Sequence, residues 1–264
     1  MRWNDAIIVE DDMGSGLGTV IVPHRNAKML GPAYYLAGSS FPAKQHTEDA
    51  LRARLRPAFR HWAGQQDILD RAGSTAFNPA VAARVELLRQ VVPPEERAVL
   101  IGRSTGARTA TVFAHDHGAA AVVCLGYPFR DPNHVLEPDR FTHLATLAVP
   151  TLIIQGMDDS HGGIEITDDY VLSRFVTVRF VRGCDHDFEL SRDEWDVIGE
   201  MILSFCDRAD RGLPQETGVF DEARYLRSNG DVAEAVRAGV FASGEEHYLK
   251  HGQEEGRSFR WLVP

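Results

Sequence analysis

Ser104, the adjoining Asp158 and Asp159, and His186 are the residue types from which an activated nucleophile is built: a hydroxyl, a carboxylate and an imidazole. Each follows a short apolar run. Ala98 to Ile101 leads into Gly102-Arg103-Ser104-Thr105-Gly106, Thr151 to Gln155 into Gly156-Met157-Asp158-Asp159, and Val176 to Val181 into Gly183-Cys184-Asp185-His186. A serine hydroxyl is a poor nucleophile until a neighbouring imidazole takes its proton, and the imidazole needs a carboxylate to hold its tautomer and stabilise its cation. Together they form the apparatus for attack on a carbonyl carbon.

That chemistry requires elements that bring three distant loops to one place. The stretch Arg97 to Arg108 reads as strand, sharp turn and helix, which is the setting of a nucleophile elbow around G-x-S-x-G. The glycines at 102 and 106 suit a strained turn in which side chains would clash with the neighbouring strand and helix. The plainer alternative is a βα turn with a capping serine. The helix after Ser104 runs to His115-Asp116-His117, with Gly118 as its C-cap. Ala119 to Leu125 is the next buried strand, ending in Gly126-Tyr127-Pro128-Phe129. Phe141 to Leu147 reads as a short helix and Trp195 to Cys206 as a closing one. Strands alternating with helices at this spacing imply a doubly wound, mostly parallel α/β sheet, whose strands end on one common edge.

The first third is read from weaker signals. Ala6 to Glu10 and Thr19 to Pro23 are two short strands joined by a glycine-rich hairpin loop. Ala27 to Leu36 is read as a helix interrupted at Gly31-Pro32. Thr47 to Trp62 is read as a helix capped by Thr47, with Leu51, Leu55, Phe59 and Trp62 on one face. Asp67 to Asp70 is read as a short strand. Asn78-Pro79 opens a helix through Val81, Val85, Leu88 and Val91.

Composition narrows the function classes. At 264 residues the chain can bury a full core, and its net charge of −10 with no clustered basic face argues against a nucleic-acid partner. No apolar run is long enough to span a membrane, and Met1 to Asp12 lacks a signal-peptide pattern. Cys124, Cys184 and Cys206 have no metal-ligand spacing and read as free thiols, so the expected location is the cytoplasm. His115-Asp116-His117 and the pair His247 and His251 resemble metal ligands in composition only. The first are too close in sequence to share a helix face, and the second read as packing. No metal and no organic cofactor is expected.

From about residue 97 to 206, and more weakly over 1–96, the chain resembles the α/β-hydrolases of the dienelactone-hydrolase-like kind, and more narrowly a group of small bacterial hydrolases. The resemblance rests on Gly102 to Arg108, Leu125-Gly126-Tyr127-Pro128-Phe129, Pro150 to Gly156 and Asp185-His186-Asp187-Phe188. It implies a serine hydrolase of carboxylesterase-like activity, with Ser104 as nucleophile, His186 as base and Asp159 rather than Asp158 as the acid. It also implies that the Thr105 N–H binds the oxyanion and that Tyr127 borders the substrate. The second oxyanion amide would come from Arg25 or Asn26, in the corner where the family's usual His-Gly has become His24-Arg25. That departure keeps a rival in view: a catalytically inactive relative acting as a binding or scaffold protein.

Beyond a polar linker at 209–217 the texture changes. Phe220 to Ala233 and His247 to Arg257 resemble a short F-D-x-x-x-Y-L, N-x-D-V-A, H-Y-x-x-x-G-x-x-E-G-R module of bacterial proteins. Ser243 to Glu246 forms a capping box there. The expected organisation is a hydrolase domain over 1–208 and a small all-helical module over 217–264, the latter a surface for a protein partner or self-association. The expected substrate is a small ester or related acyl compound.

Overall fold

The computed structural model describes residues 29–132, 137–213, 219–220, 222–252, 255 and 261–262. The strands expected at Ala6 to Glu10 and Thr19 to Pro23, and the corner at His24 and Arg25, lie outside the described residues.

Six parallel strands form the sheet in the order β2-β1-β3-β4-β5-β6. They are β1 (Leu30–Leu36), β2 (Phe59–Ala63), β3 (Val99–Arg103), β4 (Ala121–Leu125), β5 (Thr151–Gly156) and β6 (Val176–Val181). Strands β3, β4 and β5 are buried at every position, as continuous apolar runs must be in a parallel sheet covered on both faces. One face is covered by α1 (His46–Leu55) and α6 (Arg192–Asp210), through Leu51, Leu55, Trp195, Ile198 and Ile202. The other is covered by α2 (Gln65–Arg71), α3 (Val81–Val91) and α4 (Thr105–His117), through Ile68, Leu88, Ala107, Ala110 and Phe113. A short α5 (Ile166–Asp169) follows β5. The doubly wound α/β architecture expected from the spacing is present.

The first β-α units differ from the sequence reading. Leu30–Leu36 is a strand, not a helix. Pro32 is tolerated in it because β1 pairs with β2 from Leu30 onward but with β3 only from Ala33, so Pro32 precedes the two-sided part of the ladder. The helix expected over Thr47 to Trp62 stops at Leu55. Pro57 sits in a 3₁₀ turn, and Phe59 and Trp62 belong to β2. Thr47 lies inside α1 and makes no capping bond. Asp67 to Asp70 is part of α2, where the Asp67 carboxylate accepts the Gly64 N–H at 2.8 Å. The helix announced by Asn78-Pro79 is there, begun two residues later, with Asn78 Oδ1 accepting the Ala80 N–H. Phe141 to Leu147 contains only a 3₁₀ turn at Thr142–Ala145.

Where α1 meets α2, the half-buried Glu48 accepts a hydrogen bond from the Gln65 backbone, and burial pushes its carboxyl up to about 7. With the folded pKa raised, the folded state holds the extra proton, so Glu48 weakens the fold progressively as pH rises from its ordinary 4.5 to about 7. Glu48→Gln, which keeps the acceptor, is expected to raise the unfolding temperature at pH 8 and to change it little at pH 4. Thermal unfolding of both proteins across that range checks this. A gain confined to the acid end would contradict it.

The C-terminal segment carries α7 (Glu222–Ser228), α8 (Gly230–Arg237) and α9 (Gly244–His247), around a small core of Tyr225, Val232 and Tyr248. Ser243 Oγ accepts the Glu246 N–H as expected, while the Glu246 carboxylate takes the Ala242 N–H. The segment is not purely helical. β7 (Val219–Phe220) pairs antiparallel with β8 (Trp261–Leu262), a pairing of β-branched, aromatic and apolar residues suited to strand geometry.

Candidate active site

In this topology the chain leaves β1 towards β2 on one side and resumes at β3 on the other. The strand order therefore reverses between β1 and β3, the point at which open α/β sheets place ligands beyond the strands' carboxyl ends. Ser104 occupies that point. It has φ 53° and ψ −121° between β3 and α4. The helix begins at the next residue, so the Thr105 N–H lies in the first turn, where amides have no acceptor within the helix. Gly102 and Gly106 allow the turn. A Cβ at Gly102 would strike the Gly106 carbonyl, and one at Gly106 would strike the Leu36 carbonyl.

His186 and Asp159 meet Ser104 from the loops after β6 and β5. Ser104 Oγ is 2.8 Å from His186 Nε2, and His186 Nδ1 is 2.8 Å from Asp159 Oδ2. Asp158 is exposed and takes no part, whereas Asp159 is buried. Two further bonds orient that carboxylate: the His161 N–H donates to Oδ1 at 2.8 Å and Gln155 Nε2 to Oδ2 at 3.0 Å. Burial works against the charged form, but the bonds from His161 and His186 outweigh it and hold Asp159 below the usual carboxylate range. An ionised Asp159 keeps the proton of His186 on Nδ1 and leaves the Nε2 lone pair for the Ser104 hydroxyl.

Backbone bonds between the two loops maintain this register. Met157 N–H donates to the Val181 carbonyl and Asp158 N–H to that of Cys184. Gly126, at φ 57°, lies beside the pair, and a Cβ there would press on the Phe188 ring at 3.0 Å and touch Asp159 Oδ2 and His186 Nδ1 at 3.4 Å. Arg103, the variable residue inside the serine motif, donates to the His186 carbonyl at 2.7 Å and to Asp187 at 3.0 Å. Asp187 in turn pairs with Lys44 at 2.6 Å. Among the described residues, the non-glycine positions with left-handed φ are Lys44, Ser104 and Phe188. Ser104 lies in the turn after β3, Phe188 in the loop after β6 and Lys44 in the loop after β1, all at or next to the contacts just described, as expected where backbone strain is held by a rigid surround.

The other expected site residues separate. Thr105 stands beside Ser104. Tyr127, expected to border the substrate, is instead a core side chain: it is wholly buried, packs on Phe129 and donates its hydroxyl to the Arg140 carbonyl at 2.6 Å. His24 and Arg25 are outside the described residues. The loop that does pass Ser104 follows β1, and a Cβ at Gly38 would lie 3.6 Å from that of Ser104. Sequence reasoning misses this loop because β1 itself reads as a helix. It also misses His161, for no spacing rule singles out a residue two beyond an aspartate.

Asp159, His161 and His186 are the one group among the described residues whose possible metal-ligand atoms lie within 4.8 Å of one another. The two imidazoles stack at 4.0 Å with 26° between their planes. Their in-plane lone pairs therefore run side by side instead of converging, which suits two imidazoles serving one carboxylate better than a chelate. Of the earlier metal-like sets, His115 bonds Asp116 and Thr146, while the His117 ring packs tilted against Phe113. His247 is buried against the Tyr225 hydroxyl at 3.1 Å. The three cysteines are unpaired and buried.

Residues 47–208 match the alpha/beta hydrolase domain family. The chain belongs to that family. Among solved structures, it resembles a thermophilic esterase from Thermogutta terrifontis at 14% identity, covering 69% of this chain and 91% of that one, with a TM-score of 0.51. It also resembles the esterase domain of a Rhodothermus marinus protein at 15% identity, covering 70% and 89%, with a TM-score of 0.50. A serine hydrolase of carbazole degradation aligns at 15% identity over 69% and 92%, with a TM-score of 0.50. At such identities these likenesses establish the fold. No curated protein matches the sequence. Among the described residues no helix is long and apolar enough to cross a membrane.

Proposed function

We propose that this α/β-hydrolase is a serine hydrolase that cleaves an ester or related acyl bond through an acyl-enzyme. The observation that carries the reading is the continuous chain of hydrogen bonds from Ser104 Oγ through His186 to buried Asp159. In the first half-reaction Ser104 Oγ attacks the carbonyl carbon while His186 Nε2 takes its proton. The tetrahedral intermediate then collapses, the C–O bond to the leaving alcohol breaks, and His186 returns the proton to that alcohol. Water repeats the sequence on the acyl-enzyme, releasing the acid and restoring Ser104. The oxyanion is assigned to the Thr105 N–H and an N–H of the loop after β1 at Gly38 or Ser39, in keeping with the place of that loop in the fold. The amide expected at Arg25 or Asn26 lies outside the described residues.

Within the family, the dienelactone-hydrolase-like grouping remains supported by the Gly102 to Arg108 and Asp185 to Phe188 segments. The division into a hydrolase domain over 1–208 and an accessory module over 217–264, available to a protein partner or self-association, is supported by the separate small core of Tyr225, Val232 and Tyr248. Three unpaired thiols support a reducing, cytoplasmic setting.

A fluorophosphonate probe tests the proposal. Wild-type protein is expected to be labelled at Ser104, with labelling absent in Ser104→Ala and greatly slowed in His186→Ala. Folded wild type that stays unlabelled at high probe concentration would leave the hydrolase fold acting as a binding protein.

A further inference from the structure

Away from Ser104, α3 carries a buried cation with no counter-charge among the described residues. Arg84 is 4% exposed. Its Nη2 donates to the Ala37 carbonyl at 2.7 Å and to Gln65 Oε1 at 2.9 Å. Its Nε and Nη1 are buried without a partner. The Phe77 ring lies 5.0 Å from the guanidinium carbon. Burial lowers its pKa to about 10, so the group is still charged at neutral pH. A buried charge left unpaired is costly, and proteins ordinarily answer an arginine with a carboxylate held by two N–H groups.

Arg84 lines a cavity of about 210 Å³, whose other walls include Leu36, Leu69, Phe77, Ala83 and Leu87. None of the lining residues is acidic. The first turn of α3 begins at the same place, and Ala80 at its N-cap provides no side-chain acceptor. The positive end of the helix and the guanidinium thus favour the same sign of charge. The volume corresponds to about seven water molecules in bulk, well below a drug-sized pocket. Gln65, Ser74 and Asn78 add uncharged polar groups to the lining, and the combination of apolar side chains with one buried cation selects an amphipathic anion over a strongly hydrated one.

We infer that this cavity is a binding site for the carboxylate of a small apolar organic acid, held by Arg84 with its hydrocarbon part against Leu69, Phe77 and Leu87. The site is separate from the proposed triad and does not depend on it. The two are nonetheless neighbours through one loop. Arg84 and Gln65 hold the carbonyl and N–H of Ala37, the residue before Gly38 beside Ser104.

The test is calorimetry and ligand-observed NMR on the full chain with butyrate and benzoate, using butyramide and benzamide as neutral isosteres at constant ionic strength. The carboxylates are expected to bind saturably and at least tenfold more tightly than the amides, in wild type and Ser104→Ala alike. Arg84→Met is expected to weaken them at least tenfold. Because that change also loosens the hold on Ala37, Ala83→Phe serves as a second variant. It fills the cavity while leaving Arg84 in place, and is expected to abolish binding with the circular dichroism spectrum preserved. Absence of saturable binding to wild type up to about 50 mM, where even a millimolar site would be filled, would overturn the inference. So would equal binding of the amides, binding that survives in folded Ala83→Phe, or sulfate competing as strongly as benzoate.

Discussion

Asp159→Asn is expected to lower kcat for a simple ester by about 10⁴-fold, with little change in KM and no loss of fold. The asparagine is nearly isosteric and keeps an oxygen for the His161 N–H, which now donates to Asp159 at 2.8 Å. Its amide nitrogen would then face His186 Nδ1, where the carboxylate oxygen stands at 2.8 Å. Two donors cannot share that contact, so the imidazole proton moves to Nε2 and points at Ser104. The nucleophile loses its base. The loss of charge also removes the stabilisation of the imidazolium formed during attack. Steady-state ester hydrolysis, fluorophosphonate labelling rates and thermal unfolding of the two proteins check this together. Wild-type rates in a folded Asp159→Asn protein would remove Asp159 from the mechanism.

Gly106→Ala carries the largest expected effect on stability. A Cβ at this position would collide with the Leu36 carbonyl oxygen and lie 2.6 Å from that of Ala37. Both obstacles are backbone of the strand end beside Ser104, so no side chain can rotate away. Relief requires α4 to move off β1, which opens the core around Ala107, Ala110 and Leu36. A cost of about 3–5 kcal/mol is expected, in the range of severe overpacking, and a fall in unfolding temperature of roughly 10 °C. Gly230→Ala is the control. Nothing lies within 4 Å of its built Cβ, and a change within about 0.5 kcal/mol is expected there. Similar unfolding curves for the two variants would show that the close approach at Gly106 is not rigid.

Much of the region from Val99 to Asp210 is legible in the sequence, because each signal there is local. Val99-Leu100-Ile101 is too apolar for anything but a buried element, and Gly102 and Gly106 bracket a turn that tolerates little else. Gly118 closes a helix at φ 78°. Ser191 and Glu194 form a reciprocal capping box that starts α6 three residues before the Trp195 read from sequence. The segment from 29 to 72 is misleading because its local signals conflict with its position. Leu51, Leu55, Phe59 and Trp62 keep a helical spacing across Pro57, yet the last two lie in a strand. Pro32 argues against a strand, yet the ladder with β3 begins just beyond it. Strand identity there is conferred by partners far along the chain, and no window of sequence contains them.

The same division holds for the site. Local sequence signals are enough to pick out Ser104, His186 and the aspartate pair, the turns that carry them, and a parallel sheet whose strands end on one edge. The fold around them fixes which loop runs past Ser104 and puts Tyr127 in the core, and it buries against His186 the same aspartate, Asp159, that the family resemblance selects. It also stacks His161 on His186 and leaves Arg84, beside a cavity, without a counter-ion among the described residues. The reason is range. Turn strain, capping and apolar period act within a few residues and are written in order along the chain. Burial, ring stacking and charge pairing depend on which segments the sheet brings together, and pairs such as Ser104 with His186 or Lys44 with Asp187 meet only once every strand between them is in register.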